Sequence, residues 1–187
     1  MFNDLQLAKD RGQVSALCLL DFQDLTAAFD TVDHELLLRR LQQTFGIGGS
    51  ALTWFESYLS GRTYCVVVDS ATSQVIHVLC SVPQGSVLDP LLFLLYTVEL
   101  AELVARFGVT LHAFAVDNQL YLGCKTNEAN LSLAALECCV TAISHWMSAN
   151  CLKLNMEKTE WLWTVSRSNL DQLPKTCLLY TSDAADE

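Results

Sequence analysis

A Pro-Gln-Gly turn, Pro83-Gln84-Gly85, follows a strand-like run over residues 75–79 and precedes a long apolar helix that begins near Pro90. Such a turn places free backbone N–H groups and one amide side chain at a helix N-terminus, where phosphate groups are readily held. Gly85 also permits close approach of a ligand to the backbone. Turns of this kind are common before helices, so a plain structural turn is the alternative interpretation.

Hydrophobic periodicity predicts the elements that must position this turn. A helix is expected to end at Arg11-Gly12, another begins after Asp33 as its N-cap, and the remaining helices are predicted over residues 50–59, 90–107 and about 133–150. Strands are predicted at residues 14–20, 63–68, 74–79, 109–115, 119–122, 151–154 and 161–165, with a hairpin turn at Asp117-Asn118. This mixture indicates an α+β fold with a mainly antiparallel sheet.

Two further segments flank the turn, Asp24-Leu25-Thr26-Ala27-Ala28-Phe29-Asp30 before it and Ala113-Phe114-Ala115-Val116-Asp117-Asn118 after it. In this order the three segments resemble the palm of a reverse transcriptase of the non-LTR retrotransposon kind. Each segment is a weak signal alone, and they are specific jointly. The resemblance covers roughly residues 3–165. It implies a palm-like antiparallel sheet with helices packed on one face, part of the fingers and no thumb.

The resemblance also sets the expected domain organisation. We expect a partial reverse transcriptase domain over residues 1–165 and an irregular tail over residues 166–176. Residues 177–187 resemble an in-frame translation of a sequencing-library adapter and are excluded from fold reasoning.

The family's chemistry is two-metal nucleotidyl transfer, in which carboxylates from two chain segments hold Mg²⁺. The resemblance makes Asp24 a metal ligand and makes Phe29 the aromatic residue that excludes a ribose 2′-hydroxyl. Asp21 is a rival, because it also ends the apolar strand run. With Asp24 as the ligand, residues 21–23 are an insertion between the strand and the family motif. Spacing favours Asp24, since Thr26 rather than an aromatic residue stands five positions beyond Asp21.

Structural interpretations remain open for the aspartates of the first segment. Asp24 could be a helix cap or a surface residue. Asp30 and Asp33 are predicted to be helix-start caps rather than ligands.

The third segment departs from the family pattern, in which two adjacent aspartates are expected. Val116 stands in place of the first one and offers no lone pair, so Asp117 is left as the remaining metal ligand of this segment. Loss of even an outer hydrogen-bond partner of a ligand typically costs roughly 10–100-fold in affinity or activity. The resemblance therefore predicts an impaired site. A simple hairpin turn is the alternative for Asp117-Asn118.

The remaining site residues are also assigned by resemblance. Pro83, Gln84 and Gly85 would contact the template-primer and the incoming nucleotide. Asp89 stands where the family usually has glycine, and a positive φ there would cost about 1 kcal/mol or more. Lys158 resembles the family's lysine near the triphosphate, which helps to protonate the leaving pyrophosphate, although a solvated surface lysine is the alternative.

The implied partners are an RNA template, a DNA primer and a deoxynucleoside triphosphate. The formal net charge of −10 predicts weak nucleic-acid binding, because phosphate contacts need Lys and Arg. Three of the negative charges come from residues 177–187. No membrane span is expected, since acidic residues and Pro90 interrupt the apolar stretch over residues 88–107.

Half of the residues are apolar, which suits a chain whose faces pack against neighbours. The eight cysteines show no Cys-x-x-Cys pair, so buried reduced thiols are favoured over a zinc site. The N-terminus lacks the pattern of a signal peptide, and we expect a protein of the nucleus or cytoplasm that is not secreted.

The predicted function is that of a fragment of an RNA-directed DNA polymerase, inactive in this copy. The alternative is a non-catalytic protein- or RNA-binding module that retains the palm scaffold. A nucleotide cyclase is disfavoured by the Pro83-Gln84-Gly85 segment and by the lack of a Gly-Gly-acid-acid hairpin.

Overall fold

The structure is a computed structural model, and it describes residues 2–21, 25–114, 117–155 and 158–165. The elements of these residues follow in chain order: α1 (Phe2–Asp10), β1 (Val14–Asp21), α2 (Leu25–Asp30), α3 (His34–Gln43), α4 (Gly49–Leu59), β2 (Thr63–Tyr64), β3 (Val67–Val68), β4 (Ala71–Thr72), β5 (Ile76–His77), α5 (Asp89–Thr97), α6 (Glu99–Ala105), β6 (Thr110–Phe114), β7 (Asp117–Cys124), α7 (Ala129–Ala149) and β8 (Glu160–Thr164). A short 3-10 helix, Thr126–Glu128, precedes α7.

The chain divides into two compact units, which are described separately. Unit 1 comprises Met1–Gln23, Glu99–Ser148 and Lys153–Glu187. Unit 2 comprises Asp24–Val98 and Ala149–Leu152.

Unit 1 is built on a four-stranded antiparallel sheet in the order β6-β7-β1-β8. The inner strand β1 pairs with β7 from Val14 to Asp21 and with β8 from Ser15 to Leu19. Its side chains over residues 14–18 are all buried, including that of the polar Ser15, so both faces of this part of the strand are covered. The sheet confirms the predicted antiparallel α+β class.

The β6–β7 hairpin differs from the prediction at its turn. Asp117 and Asn118 are the first residues of β7 and pair with Phe114 and Ala113, so the prediction that they form the turn is wrong. Because β7 lies between β6 and β1, pairing at these positions satisfies backbone groups on both sides of the strand. The hairpin connection, residues 115–116, lies outside the described residues.

Unit 2 has a core in which α3 packs against both α4 and α5. Asp33 is the N-cap of α3, as predicted, and its Oδ1 accepts the Leu36 N–H at 2.8 Å. Asp30 ends α2, so the prediction that it begins a helix is wrong. The helix that follows starts only after Asp33, which takes the capping position. Side chains of this core with almost no exposure are Leu37, Leu41, Leu59, Leu92, Phe93 and Tyr96.

Residues 63–77 form a less regular hairpin than predicted. Two-residue strands replace two continuous ones: β2 pairs with β5, and β3 pairs with β4. Every residue in these strands is exposed. A strand with no buried face has little to fix a continuous register, which explains the interruption.

Two further predictions needed correction. The helix predicted over residues 90–107 is divided, because α5 ends at Thr97 and α6 begins at Glu99. The Thr97 hydroxyl donates to the Phe93 carbonyl at 3.0 Å and competes with the helix backbone for this acceptor. Residues 151–154 do not form a strand, since Cys151 has a φ of 57°, in the left-handed region.

Among the described residues, one helical segment, Thr126–Ala149, is long and apolar enough to cross a membrane by length and composition alone. Core helices pass the same test. In this structure α7 buries Leu136, Val140, Ile143 and Met147, which belong to the predicted apolar stripe.

Candidate functional site

Two aspartates occupy paired positions at one end of the sheet in unit 1. Asp21 is the last residue of β1, Asp117 is the first residue of β7, and the two are partners in the antiparallel register. Directly opposite residues in such a ladder lie about 4.5–5.5 Å apart between their Cα atoms. The register runs without a break from Val14 and Cys124 to this pair. The whole length of the two strands therefore fixes the pairing.

This register bears on which aspartate of the first segment meets Asp117. Asp24, which spacing favours, lies outside the described residues, and so does Val116. The rival residue, Asp21, stands directly across from Asp117. The geometry supports Asp21 at the strand end, while the role of Asp24 stays a prediction.

Lys158 lies close in the chain to the same end of the sheet. Strand β8 begins at Glu160, which pairs with Leu19 of β1, and Lys158 precedes it by two residues. Because β8 runs antiparallel to β1, its start lies where β1 approaches Asp21. The side chain of Lys158 is exposed. This end of the sheet thus carries the paired aspartates and the predicted lysine.

The Pro83–Gly85 turn in unit 2 is closed by hydrogen bonds within the chain. The Gly85 N–H donates to Asp89 Oδ2 at 2.7 Å, and the Ser86 N–H donates to the Pro83 carbonyl at 3.1 Å. The Asp89 N–H donates to Ser86 Oγ at 3.1 Å. The prediction of free backbone N–H groups is therefore wrong for Gly85 and Ser86, because acceptors of the chain itself occupy them.

The glycine and the glutamine of this turn are both exposed, and their contact with a template-primer stays a prediction. Gly85 has a φ of 76°, which favours glycine, and a Cβ at this position would meet open space. The backbone here is accordingly open to close approach. Gln84 is exposed, and its Nε2 donates to Asp30 Oδ1 at 2.8 Å. Asp30 therefore holds the Gln84 side chain of this turn through a hydrogen bond.

Phe29 connects the first segment to the start of the turn through its backbone. The Phe29 carbonyl accepts the Val82 N–H at 3.1 Å. Its ring is buried and meets the Phe93 ring edge-on, with centroids 4.9 Å apart. This packing is that of a core residue, and the ribose-facing role of Phe29 stays a prediction.

Asp89 is not strained in place of the family glycine. It is the first residue of α5, and its backbone is helical, so the anticipated cost of a positive φ does not arise. Sequence reasoning treated Asp89 only as a departure from the family. The pattern Ser86-Val87-Leu88-Asp89 is the Ser-x-x-acid signature of a helix start and could have indicated the contact with the turn.

Comparison with known protein families identifies the chain. A family model described as "Reverse transcriptase (RNA-dependent DNA polymerase)" matches residues 4–174. The chain belongs to the reverse transcriptase family. This confirms the resemblance on which the site residues were chosen.

The most similar relatives of this reverse transcriptase chain include transposon polymerases. The probable RNA-directed DNA polymerase from transposon BS of Drosophila melanogaster is 31% identical over 147 residues, which cover 76% of this chain and 16% of the relative. The corresponding protein from transposon X-element of the same species is 38% identical over 98 residues, 52% of this chain and 11% of the relative. A retrovirus-related Pol polyprotein from the type-1 retrotransposable element R2 of Popillia japonica is 35% identical over 85 residues, 46% of this chain and 13% of the relative. The chain thus spans between 11% and 16% of these relatives.

Among solved structures, apo telomerase of Candida tropicalis truncated from its C-terminal domain shares the fold. The TM-score is 0.65 at 15% identity, and the match covers 89% of this chain and 34% of the telomerase chain. At this identity the likeness shows the fold alone. It confirms the predicted polymerase-like α+β architecture of this reverse transcriptase chain.

The cysteines of the described residues are all free thiols, and they hold no metal cluster. Within the described ranges no group of three or more His, Cys, Asp or Glu side chains could hold a metal ion. Burial raises the pKa of Cys18 to about 12 and that of Cys139 to about 11, so both thiols are unreactive. The prediction of buried thiols is confirmed for Cys18, Cys124 and Cys139 and is wrong for Cys65, Cys80, Cys138 and Cys151, which are exposed.

A buried arginine in unit 2 was missed by the sequence reasoning. The Arg40 guanidinium lies 4.8 Å from the centre of the Tyr96 ring and donates to the Tyr96 carbonyl and to Asn150 Oδ1. The Tyr96 hydroxyl donates to the Asn150 carbonyl at 2.7 Å, and burial raises the pKa of Tyr96 to about 12. Arg40 follows Leu37 by three residues on α3, and this helical spacing could have indicated that it is buried.

Proposed function

We propose that this reverse transcriptase chain carries the metal-binding strand pair of an RNA-directed DNA polymerase, with Asp21 and Asp117 as its carboxylates. The paired register of these two residues carries the proposal. Asp24 remains a further candidate ligand by its spacing within the family motif. Under this proposal, the reaction of the enzyme from which this copy derives is template-directed DNA synthesis.

The chemistry of the donors fits Mg²⁺. Like charges directly opposite each other in a sheet repel, and a cation between them relieves the repulsion. Carboxylate oxygens are also the ligands that Mg²⁺ prefers, together with phosphates and water. When bound, Mg²⁺ ions stabilise the attacking and leaving oxygens of nucleotidyl transfer. Asp21 and Asp117 would hold the ion, and Lys158 would supply a positive charge or a proton to the leaving pyrophosphate.

This copy is proposed to be inactive. Val116 stands where the family pattern has an aspartate, so fewer carboxylates are available to hold the ions. The acidic balance of the chain also predicts weak binding of an RNA template and a DNA primer.

Metal binding and primer extension test the two parts of this proposal separately. In a calorimetric titration with Mn²⁺, used as a stand-in for Mg²⁺, we expect weak binding that is lost in Asp117→Asn. The matched control Asp69→Asn, in an exposed loop, leaves the binding unchanged. Binding that survives Asp117→Asn contradicts the metal site. DNA synthesis on a primed RNA template by the unaltered chain contradicts the proposed inactivity alone.

A non-catalytic protein-binding module is the second candidate, and one observation favours it. The hairpin over residues 63–77 exposes Val66, Val67 and Val68, each more than half accessible. Recovery of one partner in stoichiometric amount, and its loss when these valines are replaced by threonine, would support this alternative.

A further inference from the structure

Three side chains on the sheet of unit 1 form a continuous hydrogen-bonded network. The Tyr121 hydroxyl of β7 donates to Asp4 Oδ2 of α1 at 2.7 Å, and it lies 3.3 Å from His112 Nε2 of β6. The His112 and Tyr121 rings are stacked, with centroids 5.4 Å apart and an angle of 18° between their planes. The His112 side chain nevertheless remains 45% exposed. The network therefore holds an accessible imidazole in one orientation.

The donors and acceptors of this network determine which nitrogen of His112 carries a proton. A carboxylate can only accept hydrogen bonds, so the single hydroxyl proton of Tyr121 is directed to Asp4. The hydrogen bond from Tyr121 lowers the pKa of Asp4, and burial raises the pKa of Tyr121, so both groups keep these protonation states at neutral pH. The Tyr121 oxygen must therefore accept from His112 Nε2–H. In the neutral imidazole this leaves Nδ1 as a hydrogen-bond acceptor.

His112 lies on the face of the sheet to which the proposed metal-binding positions belong. Directly opposite residues of an antiparallel pair share a face, and every second residue of a strand returns to it. His112 is paired with Gln119, which follows Asp117 by two residues on β7, and Asp117 is paired with Asp21. At about 3.4 Å per residue and about 4.8 Å between strands, the backbone of His112 lies about 8 Å from that of Asp117. A nucleic-acid strand engaged at positions 21 and 117 would therefore also meet His112.

A sugar hydroxyl is the group of a nucleic acid that suits this acceptor. Phosphate oxygens of a nucleic-acid strand accept hydrogen bonds, so they would find no proton at Nδ1 of the neutral ring. Asp4 Oδ2 also lies 3.7 Å from His112 Nε2 and adds a negative charge beside the ring, which disfavours a phosphate. A hydroxyl can donate and carries no charge, and it occurs at each ribose of RNA and at the 3′ end of a DNA primer.

We propose that His112 is a binding residue for a sugar hydroxyl of the nucleic-acid strand held at Asp21 and Asp117, and that Tyr121 and Asp4 position its ring. The inference rests on the proposed function, because it adds a contact to the same site. This contact needs no basic side chain, which suits a chain with 21 acidic and 11 basic residues.

NMR of the imidazole nitrogens in the full chain tests the inference, with a chelator present so that metal ions do not contribute. The probes are a short oligouridylate, an oligothymidylate with a free 3′-hydroxyl, and the same oligothymidylate ended by a dideoxynucleotide. We expect the oligouridylate to shift the His112 Nδ1 resonance and the dideoxy-ended DNA to leave it in place. If the DNA with the free 3′-hydroxyl also shifts it, the primer end is the source of the hydroxyl. If only the oligouridylate does, the source is the ribose.

Variants separate the binding residue from the residues that position it. His112→Phe keeps a ring against Tyr121 and removes both nitrogens, so it should weaken oligouridylate binding roughly two- to tenfold. His112→Ala repeats the test without the ring. His145→Phe, at an exposed position of α7, is the matched control and should bind as the unaltered chain does. Tyr121→Phe removes the acceptor of Nε2–H and should let the His112 ring populate both tautomers, which its nitrogen resonances report directly.

The inference is overturned if the dideoxy-ended DNA shifts His112 Nδ1 as much as the RNA does, or if saturating oligouridylate leaves this resonance in place. Mn²⁺ binding is measured on the same preparations, with and without Asp117→Asn. If Mn²⁺ does not bind but His112 responds to the sugar hydroxyl, the proposed function fails and the role of His112 stands. If Mn²⁺ binding requires Asp117 but His112 does not respond to the hydroxyl, only the role of His112 fails.

Discussion

The sheet end of unit 1 and the turn of unit 2 each use two aspartates, and they use them differently. Asp21 and Asp117 stand across from each other on neighbouring strands. Asp30 and Asp89 each accept a hydrogen bond from the Pro83–Gly85 turn. Acidic residues at directly opposite positions of a sheet favour a cation, whereas carboxylates with N–H donors are satisfied by the chain itself. The same residue type therefore shapes a loop in unit 2 and is proposed to bind a metal ion in unit 1.

The largest effect on metal affinity should come from restoring the missing carboxylate at the sheet end. Val116→Asp adds an acid next to Asp117 and should tighten Mn²⁺ binding at least roughly tenfold, by analogy with losses of 10–100-fold when ligand partners are removed. Calorimetry measures the change. Val116→Asn is the control and should give little gain. An unchanged affinity in Val116→Asp would remove the sheet end as the metal site.

Removing an acid from the turn should weaken folding instead. Asp89→Ala loses a buried, charged acceptor and should lower the free energy of unfolding by about 2 kcal/mol. Urea denaturation measures this loss. Asp89→Asn retains an acceptor oxygen and should lose less. Equal stability of all three proteins would show that the contact with Gly85 does not hold the turn.

Removing an acid from the sheet end should raise the free energy of unfolding instead of lowering it. Without metal, Asp21→Asn relieves the repulsion across the strands and should raise the free energy of unfolding by about 0.2–1 kcal/mol. Thermal denaturation in the presence of a chelator measures the gain, with Asp69→Asn as a control for the loss of one charge. A loss of stability in Asp21→Asn would mean that the carboxylate is satisfied within the chain, as Asp89 is.

The smallest effect is expected at Asp30, the exposed acid of the turn. Asp30→Ala removes the acceptor of the Gln84 amide, but exposed substitutions usually change stability by less than about 0.5 kcal/mol. Urea denaturation beside Asp89→Ala compares the two acids of the turn directly. If Asp30→Ala lowers the free energy of unfolding as much as Asp89→Ala does, the difference in burial between the two aspartates does not decide how much each one stabilises the fold.

The pattern of neighbouring residues in the sequence was sufficient to predict much of the fold. The apolar run over residues 14–20 predicted the buried strand β1, and the stripe from Leu133 to Met147 predicted α7. Asp33 was predicted as the cap of α3 and is that cap. These features depend on residues close together in the chain.

Features that depend on residues far apart in the chain could not be predicted in the same way. The pairing of Asp21 with Asp117 joins residues on different strands and is not visible from spacing within the first segment, while the role of Asp24 stays a prediction. Asp117 was predicted in a turn because its pairing with both neighbouring strands is not visible in a hairpin pattern. The role of Asp89 was missed since it requires knowing which N–H group its carboxylate meets.

The most direct test of the central claim is a map of paramagnetic broadening by Mn²⁺ in the ¹⁵N-labelled chain, compared with Asp21→Asn and Asp24→Asn. We predict that the amides of residues 21 and 117 broaden first, and that Asp21→Asn abolishes this while Asp24→Asn leaves most of it. If broadening persists in Asp21→Asn and disappears in Asp24→Asn, the metal site is built on Asp24 and the paired register does not define it.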